Sequence, residues 1–350
     1  MSFNFQLLKN ISETAGAPGY EKRIRDLVIN EIEELVDEIT VDNLGNVIAI
    51  KKGKDSSKRV MSAAHLDEIG FMVNYIDDDG FVFFNTLGGF DPKTLTAQRV
   101  IIHGKKDIIG VMSSKPIHVM TAEERTKNPK INDYFIDLGL SKEEVEEFIE
   151  IGNPITRERE LIEMGDCVNG KSLDNRVAVY ILIETLRRFK SQSIPYDFYA
   201  VFTVQEEVGI RGANVATHQI NPDYGIALDT TIAFDLPGAK PQEKVTHLGK
   251  GTAIKVMDAM TICDYRMVEF MKSTAKTSDI PFQLEILTAG GTDTAGVQRM
   301  GKNGAIAGAI SIPTRHLHQV VEMSHKKDIE NSINLLEKCV STINEYDWSH

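Results

Sequence analysis

Cysteine is scarce in this 350-residue chain: Cys167, Cys263 and Cys339 are odd in number, far apart and in no C-x-x-C pair. That excludes a disulfide framework and a cysteine-based zinc knuckle, fits a reducing compartment, and leaves the three as small core residues. Basic charge is short as well. Lys and Arg number 39 against 51 Asp and Glu, a net charge of −12, and a phosphate-reading surface needs clustered cations, so no nucleic-acid partner is expected. No stretch approaches the roughly 18 consecutive apolar residues of a membrane span. The first ten residues hold only short apolar pairs and no small-residue cleavage site, so they read as mature sequence, not a signal peptide. These absences predict a cytoplasmic protein with no membrane partner. What is present is an ordinary globular composition, 42% hydrophobic and 26% charged, in a chain long enough to bury a large core without covalent staples.

Apolar residues at helical spacing predict helices over 5–15 and 20–37, the second carrying Ile24, Leu27, Val28, Ile32 and Leu35 on one face. Strands are predicted over 41–49 and 60–64, around a polar turn at 53–57. From Gly70 to about Gly165 the texture changes to short strands broken by Gly80, Gly88-Gly89, Gly104 and Gly110, with a polar helix over 142–149. Beyond Gly170 helices over 176–189, 212–217, 265–277, 295–300 and 327–344 alternate with strands over 197–204, 224–228, 282–287 and 305–310. Such alternation predicts an α/β fold, a mixed, largely parallel sheet with helices on both faces. The glycine-punctuated segment is then a small β-rich insertion. This gives a discontinuous α/β domain of residues 1–70 and 164–350, interrupted by residues 71–163.

Several apolar strands end in residues able to bind a metal, and the carboxyl ends of strands are where an open α/β sheet binds ligands. The run VMSAAHLDEIG places His65 just past a buried strand, with Asp67 two residues on to orient the imidazole. Asp174 opens a helix in KSLDNRVAVYIL, where alone it would read as an N-cap; the helix terminus also favours the ionised carboxylate that a metal needs. Glu206-Glu207 closes the strand of DFYAVFTVQEEVG, where Gly209 and Gly212 permit close backbone approach. Acid pairs are usually solvated, but neighbours in extended chain point apart, so here one glutamate can bind metal while the other faces a water. Asp229 ends the strand of YGIALDTT, and either His316 or His318 in ISIPTRHLHQ can supply a second imidazole. Two divalent cations are balanced by Asp174, Glu207, Asp229 and one bridging hydroxide, with the histidines neutral. Glu206 remains free as general base. Ligands of His, Asp and Glu without Cys suit zinc, and cobalt or manganese nearly as well.

In order, His65-x-Asp67, Asp174, VQEEVGIRGA, Asp229, GGTDTAG and IPTRHLH resemble the motifs of metallopeptidase family forty-two, the dinuclear-metal glutamyl, leucyl and deblocking aminopeptidases, some described as endoglucanase M. The resemblance spans nearly the whole chain. It implies the zinc-exopeptidase type of fold and an aminopeptidase that removes amino-terminal residues from short peptides through a metal-bridged hydroxide. It implies that Asp174 bridges two divalent ions, zinc or cobalt, with His65 and Asp229 on one and Glu207 and His318 on the other, and that Glu206 is the base. It further implies a cis peptide at Asp174-Asn175, a PDZ-like dimerisation module as the insertion, and assembly of dimers into a tetrahedral dodecamer. The sequence departs from the family at His316, where tyrosine is usual, and the family's ligand position selects His318. His316 then joins Gly291, Thr292 and Asp293 as candidate substrate contacts, although Thr292 or Asp293 could equally cap the following helix. Two other readings stay open: a metal-dependent N-deacylase, and a glycoside hydrolase built on a carboxylate pair, which would leave the histidines idle.

Overall fold

The computed structural model describes residues 3–350, so Met1 and Ser2, part of the stretch read as mature sequence, lie outside the described residues. Among the described residues an eleven-stranded sheet forms one unit and a closed barrel another. At the centre of the sheet Tyr196–Thr203, Asp55–His65, Tyr224–Ile232 and Ile306–Arg315 lie side by side, all parallel. Asp55–His65 is buried on both faces over Val60 to Ala64, apolar but for Ser62, as suits a strand covered from both sides. Val60 and Ala64 face the core made with helices Phe5–Glu13, Leu173–Phe189 and Lys326–Thr342, while Met61 and Ala63 face helices Arg211–Ile220 and Asp293–Arg299. Leu173–Phe189 is buried along almost its entire length, so its apolar residues surround the axis instead of forming a stripe.

The sheet is mixed, but parallel order stops outside this centre, apart from the pair Thr252–Met257 and Phe282–Ile286. The expectation of a largely parallel sheet is corrected at its flanks. One flank is antiparallel through Val47–Lys51 and Glu38–Val41, the other through Glu322–His325, Cys167–Gly170 and Ile162–Met164. Short connections enforce this between Glu38–Val41 and Val47–Lys51 and between Ile162–Met164 and Cys167–Gly170, because a tight turn can only join antiparallel neighbours. In the sequence read as one strand over 41–49, Asp42 Oδ1 accepts the N–H groups of Leu44, Gly45 and Asn46, and Gly45 turns back at φ 108°. Two strands result.

Register then aligns the strand ends. His65 pairs with Thr203, and continuing the pairing of Gly225 with Met61 brings Asp229 level with His65. The segment that interrupts the sheet is β-rich, as expected. Its strands Gly70–Ile76, Val82–Leu87, Tyr134–Asp137, Asp107–Ser114, Gln98–His103 and Pro154–Arg157 close in that order into a barrel. The barrel has a core of its own, including Phe71, Val82, Phe84, Val100, Ile102 and Ile136. No helix among the described residues is long and apolar enough to cross a membrane.

Candidate metal centre

Strand ends, the start of Leu173–Phe189 and the loop after Ile306–Arg315 gather His65, Asp174, Glu206, Glu207, Asp229 and His318 into one cluster, against which the barrel lays Gly88 and Gly89. His65 Nε2 lies 3.3 Å from Asp174 Oδ1, 3.8 Å from Asp229 Oδ1 and 3.9 Å from Glu206 Oε2. On the other side of Asp174, its Oδ2 is 3.5 Å from His318 Nε2, which is 3.6 Å from Glu207 Oε2. Two ligand groups are thereby defined, His65–Asp174–Asp229 and Asp174–Glu207–His318, each with its donor atoms within 4.8 Å of one another. Asp174 belongs to both. Its backbone and that of Asn175 are not helical although they open the helix Leu173–Phe189, and the Asp174-Asn175 peptide is cis. The carboxylate points at the two imidazoles instead of capping the helix.

Tautomers follow from the hydrogen bonds. His65 Nδ1 lies 3.0 Å from the main-chain oxygen of Asp67, and His318 Nδ1 lies 2.8 Å from that of Gly89. A carbonyl only accepts, so Nδ1 carries a proton in both rings, and each Nε2, which faces the acids, offers its lone pair to a cation once it has lost its own proton. That is the arrangement a metal-binding imidazole needs. Asp67 therefore orients His65, but through its carbonyl. Its carboxylate, 3.5 Å from the ring, instead accepts the N–H groups of Glu206 and Glu207, each at 3.0 Å.

The cleft concentrates negative charge. Burial pushes the Glu206 and Asp229 carboxyls well above the ordinary range, and burial together with the Asp174 charge pushes Glu207 up to about 7. Burial works against the His318 imidazolium, yet the Asp174 hydrogen bond and the Glu207 charge outweigh it and hold the ring up to about 10. Such packed carboxylates call for cations. Glu207 Oε1 is moreover buried without a hydrogen-bond partner. An orphaned carboxylate oxygen, two Nε2 lone pairs and an oxygen-rich donor set without cysteine fit divalent ions.

The outlying candidates divide. Asp293 Oδ2 accepts the Thr203 hydroxyl at 2.5 Å, Asp293 Oδ1 is buried and unpartnered, and burial pushes this carboxyl up to about 6. Thr292 pairs with Thr294 and makes no side-chain cap, so the capping alternative is not realised at that residue. Gly291 lies against Met260: a Cβ there would come within 2.4 Å of its sulfur. His316 is half-buried at φ 60°, two residues before His318. Glu322 was missed. It is fully buried, its Oε1 accepts the His318 N–H and its Oε2 the Asp174 N–H, both at 2.9 Å, and burial pushes it up to about 8. Its position four residues after His318 was the available signal.

Fold and cleft together define a hydrolase whose chemistry gathers at the carboxyl ends of sheet strands. A sequence profile of the family described as M42 glutamyl aminopeptidase matches residues 45–335, and the chain belongs to this family of metallo-aminopeptidases. It is 35% identical to the lysyl aminopeptidase of Pyrococcus furiosus, over 99% of both chains. Among solved structures it superposes on a TET aminopeptidase from the marine sediment archaeon Thaumarchaeota archaeon SCGC AB-539-E09 with a TM-score of 0.93 and 38% identity, covering 96% of this chain and 95% of the other. It also resembles the TET1 peptidase of Pyrococcus horikoshii, described as assembling into a tetrahedron or a large octahedral shell, with a TM-score of 0.86 and 31% identity over 96% and 98% of the two chains.

Proposed function

We propose that the chain removes amino-terminal residues from short peptides with two divalent cations, one held by His65, Asp174 and Asp229 and the other by Asp174, Glu207 and His318. The observation that carries this reading is the sharing of Asp174, whose two oxygens lie 3.3 and 3.5 Å from the Nε2 atoms of two different histidines. When bound, zinc or cobalt at such a pair of sites would lower the pKa of a water and polarise the scissile carbonyl. Glu206 belongs to neither ligand group and sits at the edge of the first, so it takes the proton of the attacking water and returns it to the leaving amine. Asp67 fixes the backbone from which Glu206 and Glu207 project. The free α-amino group of the substrate is a cation, and the acidic cleft attracts it; Gly291, Thr292, Asp293 and His316 border the space a first side chain would enter.

The catalytic unit then comprises residues 1–70 and 164–350, and residues 71–163 form a PDZ-like dimerisation module. Exposed Ile109 and Val111, 58% and 49% accessible on one barrel strand, support a role in self-association, as does the shell described for the Pyrococcus horikoshii relative. Dimers or a tetrahedral dodecamer are expected, and a monomeric mass on sedimentation would rule this out. Three free cysteines suit a cytoplasmic setting.

Activity on amino-acyl anilides and short peptides should vanish with chelation and return with zinc or cobalt. Glu206→Gln should lower kcat by at least about 10²-fold while the cation content stays at two per chain. Unchanged turnover in that variant would remove Glu206 as the base, and hydrolysis of N-acyl amino acids with none of free peptides would favour a deacylase.

A further inference from the structure

The two ligand groups are built differently. His65, Asp174 and Asp229 all come from the sheet unit, on Asp55–His65, the start of Leu173–Phe189 and Tyr224–Ile232. His318 lies on a loop beyond Ile306–Arg315 at φ 62°, a left-handed conformation that a residue with a side chain adopts at a cost. Two contacts holding that conformation come from the barrel. Gly89, just past Val82–Leu87, accepts the Nδ1–H of His318 at 2.8 Å. Arg157, the last residue of Pro154–Arg157, donates from Nη1 to the main-chain oxygen of His318 at 3.0 Å. From the sheet side Glu322 accepts the N–H groups of His318 and Asp174.

Arg157 is 2% exposed, its Nε has no hydrogen-bond partner, and its guanidinium lies 5.6 Å over the ring of Phe90. Burying a guanidinium is costly unless it is paired and hydrogen-bonded, and this one is only partly so. Its position explains the arrangement. The charge sits near Glu322, which ties together the backbones of two ligands, and Nη1 holds the main-chain oxygen of His318.

We propose that Arg157 is a positioning residue through which the barrel completes the second cation site, while the first site stands on the sheet unit alone. The proposal rests on the two-cation reading. It makes the barrel part of the metal centre, so a displacement of barrel against sheet alters one site and not the other.

The test is calorimetric titration of the full-length, chelator-stripped chain with zinc. The wild type should bind two ions. Arg157→Met, which keeps an unbranched stem but loses the guanidinium, should bind the first ion with wild-type affinity and the second about 10–100-fold more weakly, the usual size of a lost outer contact to a metal ligand. Arg157→Lys, which retains a cation beside Glu322, should fall between the two. If Arg157→Met does not fold, the intermediate loss in Arg157→Lys carries the test. Wild-type affinity for both ions in the folded variants, or equal weakening of both sites, would overturn the proposal while leaving two-cation catalysis intact. A wild type that binds fewer than two ions would overturn both.

Discussion

Asp67 shows how much one buried residue can fix. Its carbonyl holds the His65 ring, and its two carboxylate oxygens take one amide each from Glu206 and Glu207. Asp67→Asn keeps the carbonyl but leaves only one acceptor oxygen for two N–H groups, turning an NH₂ toward one of them. Kcat should fall about 10–100-fold, with KM close to wild type and the His65 cation retained. Steady-state kinetics on the cation-loaded variant, beside its measured cation content, checks this, and a wild-type kcat would sink it. The residue and its orienting of His65 were legible in the sequence from their spacing; which of its oxygens does so was not, because carboxylate and carbonyl belong to the same amino acid. Glu322 illustrates the complementary difficulty: its four-residue spacing from His318 is a weak signal, because a carboxylate that acts on backbone amides needs no motif around it. Arg157 lies some 160 residues from the histidine it touches, a separation no local motif spans.

At the scale of elements, strong periodicity was readable. Tyr265–Thr277 runs over the predicted range, and Leu173–Phe189 differs from it only at the start, where Asp174 leaves helical geometry for the cleft. Thr252–Met257 and Glu322–His325 were not assigned, the former because it is a short apolar run beside Gly249 and Gly251, the latter because four residues carry no period. Closure of the barrel is set by non-local pairing and has no signature along the chain. Close packing of helix on sheet offers a sharper test. A Cβ at Gly225 would meet Val297 Cγ1 at 2.3 Å, on the helix Asp293–Arg299 that carries Asp293 to Thr203. At Gly308 the obstacles are the terminal methyl of Met271 at 2.8 Å and the Cγ of Met267 at 2.9 Å, both on unbranched side chains. Val297 is β-branched and fully buried, so Gly225→Ala should destabilise by about 1–3 kcal/mol, whereas Gly308→Ala should cost less because methionine repacks. Denaturant midpoints of the two variants decide it, and the reverse order would show that the helix adjusts more readily than the methionines.

For the whole molecule the decisive quantity is the charge gathered in one cleft. Asp174, Glu206, Glu207 and Asp229 face two imidazoles within a chain of net charge −12. Cations that bind only the folded chain stabilise it, by about 2.7 kcal/mol per site at a free concentration one hundred times Kd. Protons compete for the same atoms. Glu207, raised from 4.5 to about 7, contributes stability that is complete below 4.5 and lost as pH rises through about 7. His318, raised from 6.5 to about 10, contributes stability that is complete below 6.5 and lost as pH climbs toward 10. Both losses fall on the chelator-treated chain, because cations hold these ligands deprotonated throughout. The rise in melting temperature on zinc loading should therefore be larger at pH 8 than at pH 6, at equal free zinc. Glu206→Gln should keep that increment, since Glu206 is not a ligand, and His318→Ala should lose about half of it by removing one of two sites. Scanning calorimetry at the two pH values separates the outcomes: an increment that stays constant or shrinks with pH would mean that loading displaces no proton from the cleft, and would take Glu207 and His318 out of the ligand set.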